Sequence, residues 1–209
     1  MNIVIFGATG TIGSRILDEL VSRGHSVTAV IRDPSKLARH ENVIGTAGDI
    51  FDPASVKESV EGADVVVSAY GPGPGNPDAL VKATDSLLKG VEAAGVKRLI
   101  AVGGAGSLEA APGLQLVDTP QFPQEWKGIA LAHRDALEII KASPLDWTSV
   151  SPAAYIHPGE RTGKLRLGLD QLIVDEKGNS EISAEDFAIA LADELEHPQH
   201  IRRRFTAAW

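Results

Sequence analysis

Short apolar runs alternate with helical stripes along most of the chain, and this succession predicts repeated β-α-β units. Ile3-Val4-Ile5-Phe6 is apolar without polar alternation, as expected of a parallel strand covered on both faces. Ile12, Ile16, Leu17, Leu20 and Val21 then recur at helical spacing and would face the sheet. Further strands are predicted over 26–31, 43–46, 64–69, 98–102 and 146–150. Helices are predicted over 53–60, with Asp52 as cap and Pro53 in the first turn, over 80–95, and over 124–142. Residues 108–124 hold several Pro and Gly and no periodicity, which predicts an irregular excursion. In the last third, Leu165-Arg166-Leu167 and Leu172-Ile173-Val174 predict short strands. Ser183 is placed to cap a helix through Phe187, Leu191 and Leu195, and a strand near 202–206 ends the pattern. The expected fold is α/β: a doubly wound Rossmann-type parallel sheet with a small C-terminal strand and helix extension, one domain over residues 1–209.

The first strand-to-helix junction bears the chemistry. Gly7, Gly10 and Gly13 are three apart, so the turn lacks Cβ atoms where the backbone bends and where a pyrophosphate must come close. The helix that follows offers that anion its unpaired N–H groups and the positive end of its dipole. Arg32 ends the second strand, where the adenine ribose of a dinucleotide lies. An acid about 20 positions past the glycines would accept the ribose hydroxyls, whereas an arginine holds a 2′-phosphate. Arg32 therefore favours the phosphorylated cofactor, with Lys36 or Arg39 as a second positive charge. If Asp33 faces the ribose instead, the unphosphorylated cofactor fits.

Composition narrows the classes. A net charge of −8 disfavours adhesion to nucleic acid or anionic membrane, and the Arg202-Arg203-Arg204 run reads as a strand edge or surface patch. No run approaches the roughly 18 apolar residues of a membrane span, and the first strand begins at once, so a cytoplasmic protein is expected. The absence of cysteine removes disulfides, thiolate metal ligands and a thiol nucleophile together. No metal site is expected, and redox chemistry requires a borrowed cofactor.

Three loops at predicted carboxyl strand ends draw notice, because ligands of open α/β sheets bind along that edge. Gly71 to Pro77 is too rich in Pro and Gly for helix or central strand and is placed to wall the nicotinamide half of the cofactor. Gly103-Gly104-Ala105-Gly106-Ser107 follows the fifth strand; Ser107 there either touches substrate or caps local backbone. Ser151 to Tyr155 follows the sixth. His133 shares the apolar face of the 124–142 helix and is either a packed core residue or an acid/base group.

The chain resembles the atypical short-chain dehydrogenase/reductases grouped as NAD(P)H-flavin reductases, close to the NmrA-like and biliverdin reductase B-like proteins. The resemblance rests on Gly7 to Gly13, Val30-Ile31-Arg32-Asp33, Gly48-Asp49-Ile50, Asp146-Trp147-Thr148 through Pro152, Arg161-Thr162-Gly163-Lys164 and Ile182 to Ala188. It implies a cofactor held by Gly7, Thr9, Gly10, Thr11, Ile12, Gly13, Arg32, Asp49, Ile50, Ala69, Tyr70 and Gly71, with Asp49 accepting from the adenine amino group. It implies NADP(H), or NAD(H), as cofactor. Such relatives usually carry a catalytic serine after the fifth strand, where this chain has Gly103 and Gly104.

Carbonyl-reducing relatives also use Tyr-x-x-x-Lys, because hydride addition to a ketone builds alkoxide charge that a phenol must protonate. The chain has two tyrosines; Tyr70 is followed four places on by Pro74 and Tyr155 by Gly159, so neither forms the motif. Flavin reduction tolerates the loss, since charge spreads over a ring system and the protein need only hold two flat rings together. The expected partner is a small planar electron acceptor, a flavin among them, with Tyr155, Trp126 and the Gly71 to Pro77 loop as walls. Ser107, His133 and Tyr155 are the candidates for a catalytic role. A non-enzymatic NADP(H) sensor of the NmrA-like kind, or a dehydrogenase with a substituted acid such as His133, is the alternative.

Overall fold

In the computed structural model, which describes residues 1–37, 42–73 and 75–209, the apolar runs become the strands of one sheet. The first half comprises β1 (Asn2–Phe6), α1 (Thr11–Ser22), β2 (Ser26–Ile31), β3 (Val43–Ala47), α2 (Pro53–Val60), β4 (Val65–Ser68), α3 (Asp78–Ala93) and β5 (Arg98–Val102). Then come a small hairpin of β6 (Glu109–Ala111) and β7 (Leu114–Gln115), α4 (Gln124–Ala142) and β8 (Asp146–Ser151). The last part holds β9 (Tyr155–His157), β10 (Arg166–Gly168), β11 (Glu181–Ser183), α5 (Ala184–Glu196) and β12 (Arg203–Ala208).

The eight-stranded sheet has the order β10-β12-β8-β5-β4-β1-β2-β3. Its neighbours are parallel except β10 against β12. From β1 the chain winds outward to β2 and β3, then returns to β4 on the other side and winds away. The junction of β1 and β4 is thus the topological switch point, where the carboxyl ends of strands open a crevice. Successive side chains of β1 alternate between faces: Ile3 and Ile5 pack with α1 and α5, whereas Val4 and Phe6 pack with α2, α3 and α4. Cover on both faces is why the strand contains no polar position from Ile3 to Phe6.

The predicted helices form where expected. Asp52 accepts from the Ala54 amide (3.0 Å), and Ser183 accepts from the Asp186 amide (3.0 Å), each capping its helix. The C-terminal third departs from expectation. Leu172-Ile173-Val174 is not a strand; the Leu172 amide donates to the Glu109 carbonyl (2.9 Å) beside an isolated bridge between Glu109 and Gln171. The 108–124 excursion is partly ordered as the β6–β7 hairpin. The parallel ribbon of β9 and β11 has no counterpart in the sequence reading, because three-residue strands beside Pro152 and Pro158 are too short to show a period. The last strand runs two residues past Thr206, its end buried through Phe205, Ala207 and Ala208.

Two of the motifs behind the resemblance prove to bind each other. The fully buried Asp186 carboxylate accepts from the Thr162 hydroxyl, the Gly163 amide (2.9 Å) and the Trp209 indole (2.7 Å). Ser183 donates to the Glu160 carbonyl (2.8 Å), and Arg161 forms a forked pair with Glu19 of α1 (2.9 Å for both bonds). Residues 159–164 are thereby clasped across α1 and α5, on the face of the sheet away from α3 and α4.

Candidate cofactor crevice

The glycine turn sits at the switch point. Gly7 has φ +85°, a left-handed conformation natural to glycine, and a Cβ there would lie 2.5 Å from the Ala69 carbonyl oxygen. A Cβ on Gly13 would collide with the Gly7 carbonyl. Both glycines are thus demanded by the fold. Gly10 differs: it has φ −79° and the nearest atom to a Cβ would be the Gly7 carbonyl oxygen at 3.4 Å. Its bareness answers no demand of the chain, and leaves the space a close-approaching anion requires. Gly10 is also the cap residue of α1, no side chain among the described residues bonds the amides of the first turn, and that turn holds no acid. Thr9 and Thr11 flank it, both exposed, and Ile12 is half-buried. The arrangement fits a pyrophosphate on grounds of both space and charge.

At the end of β2, Asp33 is engaged with its own turn: one carboxylate oxygen accepts from the Ser35 amide (3.2 Å) and hydroxyl (2.7 Å). Arg32 is exposed and forms no hydrogen bond or ion pair with the described residues. The Lys36 side chain and Arg39 lie outside the described residues, as does Pro74 of the 71–77 loop. Asp49 accepts from the Phe51 amide (2.9 Å), while its own amide donates to the Ser55 hydroxyl (2.9 Å). Half of this carboxylate therefore shapes the turn, and Ile50 is buried beside it. The Tyr70 ring meets Phe51 edge to face, with centroids 5.7 Å apart. Burial pushes the Tyr70 hydroxyl above its ordinary pKa, with Arg32 opposing and Asp49 reinforcing the shift. Arg32, Asp49 and Tyr70 thus share one electrostatic environment at the ends of β2, β3 and β4. Phe51, which sequence reasoning passed over, completes it.

Beyond Tyr70 the crevice leads to a small cavity of about 20 Å³ between the sheet and α3 and α4, whose polar lining includes Ser68, Tyr70, Thr84, His133 and Ser149. Gly103 borders it, and the Gly103-Gly104 turn has a steric reason. A Cβ on Gly103 would fall 2.8 Å from the Ser149 hydroxyl, and one on Gly104 would fall 2.9 Å from the His133 Cβ and Cγ. The half-buried His133 makes no hydrogen bond to any described residue, and burial holds its imidazole down to about 4, so that it is neutral at pH 7. Ser68 and Ser149 had no separate signal: Ser68 ends an apolar β4, and Ser149 lies between Thr148 and Ser151 in β8.

The other two candidates stand elsewhere. The buried Ser107 is taken up by Arg204, whose guanidinium donates to the Ser107 hydroxyl (2.7 Å) and carbonyl (3.1 Å). Arg204 also pairs with Asp170, and Arg202 donates to the Leu145 and Pro144 carbonyls, so two members of the basic run are tied internally. Tyr155 is exposed on β9, stacked on His157 (centroids 4.9 Å), and is absent from the cavity lining. Trp126 is exposed in the first turn of α4.

A switch-point crevice with a bare glycine at an uncapped helix start defines a Rossmann-type dinucleotide-binding protein. The chain belongs to the NAD(P)H-binding family, which matches residues 7–198. It is 41% identical to the uncharacterized protein YwnB of Bacillus subtilis (strain 168), over 99% of this chain and 97% of that one. A solved structure from Burkholderia pseudomallei, named as a candidate exported protein, is 52% identical with a TM-score of 0.91 over the full length of both chains. Another, from Streptococcus pneumoniae and named as a candidate NADH-flavin reductase, is 36% identical with a TM-score of 0.88 over 100% of this chain and 99% of that one. No helix among the described residues is long and apolar enough to cross a membrane.

Proposed function

We propose that the protein is a reductase that passes hydride from NADPH to a flavin or similar planar acceptor, without a Tyr-x-x-x-Lys acid. The observation that carries the reading is the division of labour after β2: Asp33 bonds its own turn, while the exposed Arg32 forms no hydrogen bond or ion pair with the described residues. A 2′-phosphate would give Arg32 a partner, whereas one Asp33 oxygen is already taken up by the Ser35 amide and hydroxyl. The first-turn amides of α1 at Gly10 to Gly13 would hold the pyrophosphate, Tyr70 with Phe51 would flank the adenine-ribose side, and Asp49 retains one carboxylate oxygen for the adenine amino group. When bound, the nicotinamide supplies the hydride. The residues' share is to bind, to align two planar groups and to exclude water. The likeness to the Streptococcus pneumoniae protein supports the flavin reading.

The test is the decay of NADPH absorbance at 340 nm with purified protein and excess FMN or riboflavin, with NADH in parallel. Saturable oxidation that prefers NADPH is expected. A preference for NADH would overturn the role given to Arg32. Tight cofactor binding with no turnover on any planar acceptor would replace the reductase by a cofactor sensor.

A further inference from the structure

We propose that His133 and Ser149 hold a carbonyl oxygen of the acceptor by hydrogen bonds at the Gly103-Gly104 turn, so that the acceptor is a planar ring with a carbonyl conjugated to its hydride-accepting atom. This rests on the reductase reading. His133 was one of several candidates from the sequence; Ser149, the joint site and the acceptor chemistry come from the geometry.

The turn itself is the first argument. Side chains at 103 and 104 would collide with Ser149 and with His133 respectively, so two consecutive residues are bare where two polar groups need the volume. The second argument is the lack of partners. The His133 ring and the Ser149 hydroxyl line the same cavity, and neither forms a hydrogen bond with a described residue. Polar groups that line a recess without a protein partner are normally met there by a water or a ligand. The third argument is size. A cavity of about 20 Å³ admits one water or one substituent oxygen, not a ring. A planar acceptor must lie across its mouth and send a single atom in.

The ligating groups then set the chemistry. A neutral imidazole has one N–H donor and one acceptor nitrogen, and a serine hydroxyl can donate as well. Two donors suit a carbonyl oxygen, and the contact tightens as the ring gains electrons and that oxygen becomes more negative. The hydride brings two electrons to the acceptor, the balancing proton comes from solvent, and His133 keeps its own proton throughout. It acts as a hydrogen-bond donor rather than as an acid.

The experiment joins kinetics to a measurement independent of turnover. With FMN and NADPH, His133→Phe is expected to lower kcat by about 100-fold, the scale of a lost oxyanion donor, with KM for NADPH nearly unchanged. His133→Gln, which keeps an N–H donor, is expected to recover part of that loss. Ser149→Ala is expected to cost roughly three- to tenfold, as for one neutral hydrogen bond. In parallel, the imidazole ¹⁵N signals of His133 in the wild-type protein with NADP⁺ are expected to move when FMN is added. Undiminished kcat in both His133 variants, or a His133 signal that ignores FMN, overturns the proposal while leaving the reductase reading intact. If wild type oxidises no NADPH, the reductase reading fails, and the NMR response alone then decides whether the contact exists. Should His133→Phe not fold, His133→Gln and the wild-type spectra still decide.

Discussion

Gly10 and Gly13 occupy one turn and do different things, and single substitutions separate them. An alanine at Gly10 meets no atom nearer than 3.4 Å, at a backbone conformation any residue adopts. Gly10→Ala is expected to leave thermal stability within about 0.5 kcal/mol of wild type while weakening NADPH binding, measured by thermal melts beside fluorescence titration. Gly13→Ala drives a methyl into the Gly7 carbonyl, where neither backbone can yield cheaply. It is expected to destabilise by about 1–3 kcal/mol or more even without cofactor. Arg32 is tested by charge removal. Arg32→Ala is expected to weaken NADPH binding by about 1.5–3 kcal/mol, the worth of a hydrogen-bonded charge, and to change NADH binding little. Equal losses for both cofactors would remove Arg32 from the 2′-phosphate.

At the scale of elements, what could be read from the chain depended on how locally each element is determined. β1, α1 and the caps at Asp52 and Ser183 are set by neighbouring residues, and all appear where the sequence placed them. The β9–β11 ribbon is held by pairing between distant segments, Tyr155 with Glu181 and His157 with Ser183, which no short window reports. The same holds for the crevice. Its glycine turn was legible because the motif is contiguous, but Gly103-Gly104 could be read only as a missing serine. The groups that fill its volume come from α4 and β8. The clasp on Asp186 is another such long-range device. Asp186→Ala would leave the half-buried Trp209 indole and the Gly163 amide without the buried acceptor they share, and is expected to cost about 1–3 kcal/mol, read as a lower midpoint of denaturant unfolding.

For the molecule as a whole, buried ionisable groups set the response to acid. Burial works against the Glu194 carboxylate, but the Gln199 and His200 amides, the His200 ring and Thr148 outweigh it and hold the group below its ordinary value. The same balance holds for Asp186, where Thr162, Gly163 and Trp209 prevail over burial. A carboxyl whose folded pKa lies below its unfolded one stabilises fully above the unfolded value and loses that contribution as pH falls through the folded one. These groups therefore unload below about pH 4.5. His133 acts earlier. Its folded value of about 4 lies below the ordinary 6.5, so the unfolded chain binds this proton first and stability declines as pH falls from about 6.5 toward 4. A plot of unfolding free energy against pH is expected to slope across that interval in wild type and to flatten there in His133→Phe, with both chains losing stability again below about pH 4.5.

The contact between Gly104 and His133 also limits how the crevice can be re-engineered. A Cβ at 104 would fall 2.9 Å from the His133 Cβ and Cγ, so the turn side chain and the imidazole compete for a single volume. A serine installed at the turn therefore calls for a smaller residue at 133 in the same step, and the two positions have to be redesigned as one.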